Sequence, residues 1–209
     1  MQNQNDLRVI KTKKLIKDVF YQLLDKNGLE NITVSDIAHK AMINRTTFYL
    51  HYKDKYDLLS SLEDEALHHI QVATSSITME YLHNYLDGDQ PFPHIVEMLT
   101  YIQENATFFG LITRNDVDPS FLGKMADMVI SLMGDSFLQK LELDEIFKKY
   151  YSHIVMSIFI STTGQWIKTG MKEPITEIAL FITKLATTLL RTFTNIGRTN
   201  SCEEVINCE

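Results

Sequence analysis

The chain has 209 residues, 44% hydrophobic and 22% charged, enough apolar content to bury a core and too little charge for a disordered chain. Four prolines and eight glycines are too few for a turn-rich β architecture. Residues 1–60 hold ten Lys or Arg against seven Asp or Glu, a balance of +3, whereas residues 61–209 hold ten against twenty, so the net charge of −7 conceals a basic N-terminal part.

The apolar spacing of Ile10, Ile16, Val19, Phe20, Leu23 and Leu24 predicts a first helix from about Leu7 to Asn27, with Gly28 at its C′ position. Arg8, Lys11, Lys13, Lys14 and Lys17 crowd its first half, where cations oppose the helix dipole. A phosphate backbone nearby would relieve that conflict; a solvated basic face is the other reading. Thr33 can cap a short second helix, with Asp36 as its box partner and Ile37, Ala38 and Ala41 facing inward. Met42-Ile43-Asn44 turns the chain, and Asn44 can cap a third helix over residues 45–51. A fourth helix starts at a cap by Asp54, with Asp57 at N3, and runs toward Asp87-Gly88; Thr74-Ser75-Ser76 is a place where it can bend or break. Two short helices joined by a tight turn form a helix-turn-helix, whose second helix enters the DNA major groove.

The Ile-Ala pair at 37–38, the Thr-Phe-Tyr-x-His-Tyr run from Thr47 to Tyr52, Lys55 and Leu58-Leu59 resemble the DNA-binding domain of the TetR family of bacterial transcriptional regulators, over roughly residues 8–65. The family usually has Gly where this chain has Met42, and the expectation is a slightly different turn. On this reading Arg45, Thr46 and Thr47 approach base edges, Arg45 being suited to guanine. Thr33, Tyr49, His51 and Lys55 hold phosphates, and Phe48 and Tyr52 fill the core.

Beyond the break at 87–93, helices are expected near 93–105, 106–114, 119–141, 144–170 and 174–195, with Pro119 and Pro174 at starts, Asp144 as a cap and Gly170 at a C′ position. The whole is expected to be all-α: an N-terminal three-helix DNA-binding domain at 1–53, a helical bundle for ligand binding and dimerisation at 54–197, and a disordered tail at 198–209 that carries Cys202 and Cys208. Met and aromatic residues suit adaptable apolar pockets. Met98, Tyr101, Phe108, Phe109, Met125, Met128, Tyr151, Met156 and Trp166 are the candidates for one, against the plainer reading that most of them are core. Ile175, Ile178, Ile182, Leu185 and Leu189 follow a 3-4 spacing that suits a helix-pairing seam. With the small residues at 157–164 they read as a homodimer interface, which the resemblance favours.

No segment is apolar for 18 residues and the N-terminus lacks an apolar signal region, so no membrane span is expected, and two cysteines in a polar tail fit a reducing cytoplasm. Gly-rich phosphate loops, HExxH, Gly-x-Ser-x-Gly and Cys-x-x-Cys are absent from the sequence, so no enzyme, cofactor or metal site is expected. The expected function is a sequence-specific repressor, released from a palindromic DNA operator by a small apolar or aromatic effector. Control by a protein partner, or activation in place of repression, would use the same DNA-binding head.

Overall fold

The computed structural model describes residues 4–75, 77, 85, 89–113, 117–118, 120–136 and 144–203, and every regular element among them is helical. The helices are α1 (Gln4–Asn27), α2 (Val34–Lys40), α3 (Arg45–Tyr49), α4 (Lys55–Ser75), α5 (Pro93–Glu104), α6 (Ala106–Ile112), α7 (Phe121–Ser136), α8 (Glu145–Lys168) and α9 (Ile175–Glu203). The chain divides into two compact units, residues 1–67 with 107–121 and residues 68–106 with 122–209.

The first unit is built on α1. Ile16, Val19, Phe20, Leu23 and Leu24 recur at helical spacing and are all buried. Each such side chain stabilises by about 1.5–3 kcal/mol when removed from water. α1 packs on α2, and α2 on α3. Ile37, Phe48 and Leu58 complete the core at 0% exposure. Phe108 of α6 meets the rings of Tyr21 at 6.2 Å and Phe121 at 5.8 Å, so the segment at 107–121 belongs to this unit.

Local chemistry sets the helix ends. Asp36 N donates to Thr33 Oγ1 at 3.2 Å and Thr33 N to Asp36 Oδ2 at 2.9 Å, a reciprocal capping box. Asn44 Oδ1 accepts from Thr46 N at 3.0 Å. Asp54 Oδ1 accepts from Tyr56 N and Asp57 N, at 2.8 and 2.9 Å. α2 ends in a Schellman motif: Met42 N donates to His39 O at 3.1 Å and Ile43 N to Ala38 O at 3.0 Å. The motif holds Met42 at φ 53°. The expected departure in the turn is therefore absent. The turn has the left-handed residue that favours Gly, and Met42 bears a strain of about 1–2 kcal/mol.

α4 ends at Ser75, where Thr74 Oγ1 donates to Ile70 O at 2.8 Å and Ser75 Oγ to Val72 O at 2.7 Å. Hydroxyls returning to the preceding turn bend or end helices. Its expected continuation toward residue 88 lies mostly outside the described residues, as does Pro119.

In the second unit α9 packs on α8 and α5. Ala179, Ile182, Thr183, Ala186, Thr187 and Leu190 form its buried stripe, small enough for close helix approach. Thr183 Oγ1 donates to Ala179 O at 2.8 Å and accepts from Phe92 N at 2.9 Å, anchoring the start of α5. α8 opens on Asp144, whose Oδ1 accepts from Ile146 N at 2.8 Å. It closes on a second Schellman motif, with Gly170 at φ 84° and Met171 N donating to Trp166 O at 2.8 Å. α9 continues to Glu203, past the limit at Gly197 expected from the sequence; residues 204–209, with Cys208, lie outside the described residues.

Candidate nucleic-acid interface and effector cavity

α3 is five residues long and turns one apolar residue inward: Phe48, whose ring meets Tyr52 at 5.8 Å and Tyr49 at 5.8 Å. Asn44 holds the helix start, its side chain accepting from Thr46 N and its carbonyl from Thr47 N at 2.9 Å and Phe48 N at 3.2 Å. Arg45 and Thr46 are exposed, Thr47 and His51 half-buried, and Tyr49 is 56% exposed. Among the described residues no ion pair or hydrogen bond holds the Arg45 guanidinium. The leading face of α3 thus presents a guanidinium, two hydroxyls and a phenol on a buried aromatic anchor. Tyr52 is in the core at 4% exposure, with Lys13 Nζ 6.0 Å from its ring centre.

Two residues assigned to phosphate are engaged otherwise. Lys55 Nζ donates to Leu29 O at 2.9 Å and to Glu30 O at 3.0 Å, so its ammonium ties the start of α4 to the α1–α2 connection. Thr33 Oγ1 donates to Asp36 Oδ2 at 2.6 Å while accepting from Asp36 N, so the capping box uses its hydroxyl. That hydrogen bonding holds the Asp36 carboxyl below its usual range. Of the α1 cations, Arg8, Lys11, Lys13 and Lys14 are exposed, while Lys17 pairs with Glu65.

The second unit contains an apolar cavity with about 60 Å³ open to the centre of a water molecule. Thr74 and Ile77 line it at the end of α4, Phe92, His94, Ile95 and Met98 at α5, and Val129 on α7. Tyr151, Val155, Met156 and Phe159 of α8 face Ile182, Ala186, Thr187 and Leu190 of α9. The hydroxyls are satisfied from within: Thr74 bonds to Ile70 O, Thr187 to Thr183 O at 2.9 Å and Tyr151 to Ala186 O at 3.1 Å. Burial pushes the Tyr151 hydroxyl well up and the His94 imidazole down to about 4, so both are neutral at pH 7. The lining carries no charge.

Of the nine residues expected to line a pocket, Met98, Tyr151 and Met156 do so. Phe108 and Phe109 are core of the first unit, and Met125 is buried away from the lining. Tyr101 stacks on His69 with ring centres 4.2 Å apart. Trp166, 2% exposed, donates from Nε1 to Glu173 O at 3.0 Å and locks the α8–α9 turn. Met128 is half-buried on α7 and outside the lining. Of the expected seam, Ile182 is 0% exposed and faces the cavity, because α9 winds two apolar stripes around one axis. Ile175, Ile178 and Leu189 are half-buried and Leu185 is 38% exposed. Composition hides His94, Ala186 and Thr187; the small-residue spacing 179-183-186-187 on α9 was the available signal for the last two, and nothing in the sequence pointed to His94.

Among the described residues no helix is long and apolar enough to cross a membrane. The family model for "Bacterial regulatory proteins, tetR family" matches residues 18–62, and that for a "Transcriptional regulator C-terminal region" of the same family matches residues 89–188. The HTH-type transcriptional regulator YxbF of Bacillus subtilis (strain 168) is 35% identical over 79 residues, which are 35% of this chain and only 21% of that protein. The dihydroxyacetone kinase operon activator DhaS has a similar structure, with a TM-score of 0.59 at 20% identity, over 88% of this chain and 98% of its own. The transcriptional regulator FadR from Bacillus subtilis, solved in complex with stearoyl-CoA, has a TM-score of 0.58 at 15% identity, over 83% of this chain and 97% of its own. A helix-turn-helix head matched by one family model and a helical second unit matched by the other place the chain in the TetR family of DNA-binding transcriptional regulators.

Proposed function

We propose that the chain is a homodimeric repressor that leaves a palindromic operator when an uncharged apolar compound enters the cavity of its second unit. The observation that carries the effector class is the lining: no charged side chain, and hydroxyls already bonded to backbone carbonyls. A ligand gains there by burying hydrocarbon, at roughly 25 cal/mol per Å². A carboxylate or phosphate inside would find no cation and would be strongly disfavoured. FadR from Bacillus subtilis was solved in complex with stearoyl-CoA. By the same chemistry only the hydrocarbon part of such a molecule suits this lining.

The leading face of α3, with Arg45, Thr46 and Thr47, is the part that enters the major groove, and Tyr49 and His51 flank it toward phosphates. A single head covers too few base pairs, and a twofold dimer reads two half-sites one DNA turn apart. Exposed apolar residues on the last two long helices support pairing there: Ile146, Tyr150 and Ile154 on α8, at 69, 51 and 45%, and Phe181 and Leu185 on α9, at 53 and 38%. Coupling would pass through α4, which begins at Lys55 and ends beside the cavity-lining Thr74. A coupling of 1–3 kcal/mol shifts operator affinity about 5–150-fold.

DhaS, an activator by name, keeps activation as the second reading. The test is to select duplexes from a randomised pool with the full-length protein, then screen uncharged apolar compounds for both thermal stabilisation and release of the selected duplex. A compound that does both supports the proposal. Compounds that stabilise the protein while leaving DNA affinity unchanged, with none that release it, overturn it.

A further inference from the structure

Met42 combines two features that folding alone does not favour. Its backbone lies at φ 53°, where Gly has no steric cost, and its side chain is 93% exposed, the most exposed large hydrophobic residue among the described residues. The Schellman bonds of the turn are all backbone bonds and need no side chain. Met42 precedes Arg45 by three residues, which places their Cα atoms within about 11 Å. That is roughly three base-pair steps. An unbranched, polarizable thioether is thus open to solvent in the turn that leads into α3, a few residues before the exposed Arg45.

We infer that Met42 is a specificity-determining residue, whose side chain packs on a thymine C5-methyl group within about three base pairs of the one read by Arg45. The inference rests on the proposal that the leading face of α3 enters the major groove. In that groove the thymine methyl is the apolar feature, and the other base-edge groups are hydrogen-bond donors or acceptors. A thioether has almost nothing to offer the donors and acceptors, but it gains by covering the methyl. Met171 in the α8–α9 turn is also left-handed, at φ 54°, so it is the 93% exposure of Met42, not its backbone alone, that points to a partner outside the chain.

The experiment uses the full-length protein and duplexes it selects from a randomised pool. Each half-site thymine is replaced in turn by deoxyuridine, which removes only the methyl. Binding is measured for the unaltered protein and for Met42→Gly, Met42→Leu and Arg45→Ala. One thymine position is expected to lose roughly 3–5-fold on replacement, as burial of a single methyl group gives. That sensitivity should vanish in Met42→Gly and persist in Met42→Leu, with binding to an unselected duplex unchanged. Met42→Gly should melt no lower than the unaltered protein, because Gly suits this backbone. If Met42→Gly retains the full deoxyuridine sensitivity, or weakens selected and unselected duplexes equally, the inference is overturned. If Arg45→Ala relaxes base preference while Met42→Gly does not, the role of Met42 alone is lost. If neither variant alters preference, the placement of α3 fails with it.

Discussion

Lys55 and Leu29 are joined across 26 residues of chain: the ammonium at the start of α4 donates to the carbonyl that follows α1 and its Gly28 cap, at 2.9 Å, with Glu30 O as a second acceptor at 3.0 Å. The cation fixes α4 to the rest of the head through backbone acceptors. Hydrogen bonds to charged groups contribute about 1.5–3 kcal/mol each, less here because the site is part-exposed. Lys55→Met should lower stability by about 1–3 kcal/mol in urea unfolding. At temperatures where the variant is folded, the slope of log K against log salt for DNA should not change. A slope flattened by about one unit with intact stability would return this ammonium to a phosphate contact.

Asn44 accepts the Thr46 amide at the start of a helix only five residues long. Asn44→Ala should cost about 1 kcal/mol of stability. Its larger effect should fall on DNA affinity, since the side chains of Arg45 and Thr46 depend on that first turn. Asn44→Asp preserves the cap and should preserve stability. Equal losses in both variants would point away from capping.

His94 has a folded pKa pushed down to about 4 by burial, against 6.5 unfolded. The unfolded chain therefore binds more protons between these values, and stability falls as pH drops. The loss begins near pH 6.5, grows to about pH 4 and is then complete. Its ceiling is about 3 kcal/mol from the shift, and partial solvent access lowers it. His94→Phe should remove this component from the pH dependence of the urea midpoint between pH 7 and 4. An unchanged pH profile in His94→Phe would mean that His94 is not the group responsible.

Ala186 lines the cavity, and its carbonyl accepts from the Tyr151 hydroxyl. Ala186→Leu extends hydrocarbon into the open space without touching that bond. Stability should fall by about 1–3 kcal/mol at most, the range for methylenes added to a packed core, so binding is compared at a temperature where both proteins are folded. Thermal stabilisation by apolar compounds should be lost, while affinity for the selected duplex remains. Retained stabilisation by the same compounds would place their site elsewhere.

Much of the fold was legible because helix ends are local events. Thr33 with Asp36, Asn44, Asp54, Asp144, Gly28 and Gly170 each act within a few residues of sequence, and the structure has a cap or a left-handed residue at every one. Phe48 and Tyr52 were legible as core from their place in the run. What escaped was long-range. The sequence does not say that Lys55 meets residue 29, or that Phe108 and Phe109 join the head and not the cavity. Ile182 and Leu185 are three residues apart on α9, yet one faces the cavity and the other solvent. A 3-4 spacing marks an apolar stripe without naming the surface it covers. Met42 escaped because a left-handed non-Gly residue opposes the local preference that sequence reading relies on.

On the proposed reading, the face of α3 led by Arg45 contacts DNA from the major groove. Methylation interference on a selected duplex tests it most directly, since methylation at guanine N7 blocks the major-groove edge and at adenine N3 the minor-groove edge. N7-methylated guanine in each half-site should block binding by the unaltered protein, and Arg45→Ala should bind more weakly but lose that sensitivity. Interference confined to adenine N3, or guanine N7 sensitivity that survives in Arg45→Ala, would contradict it.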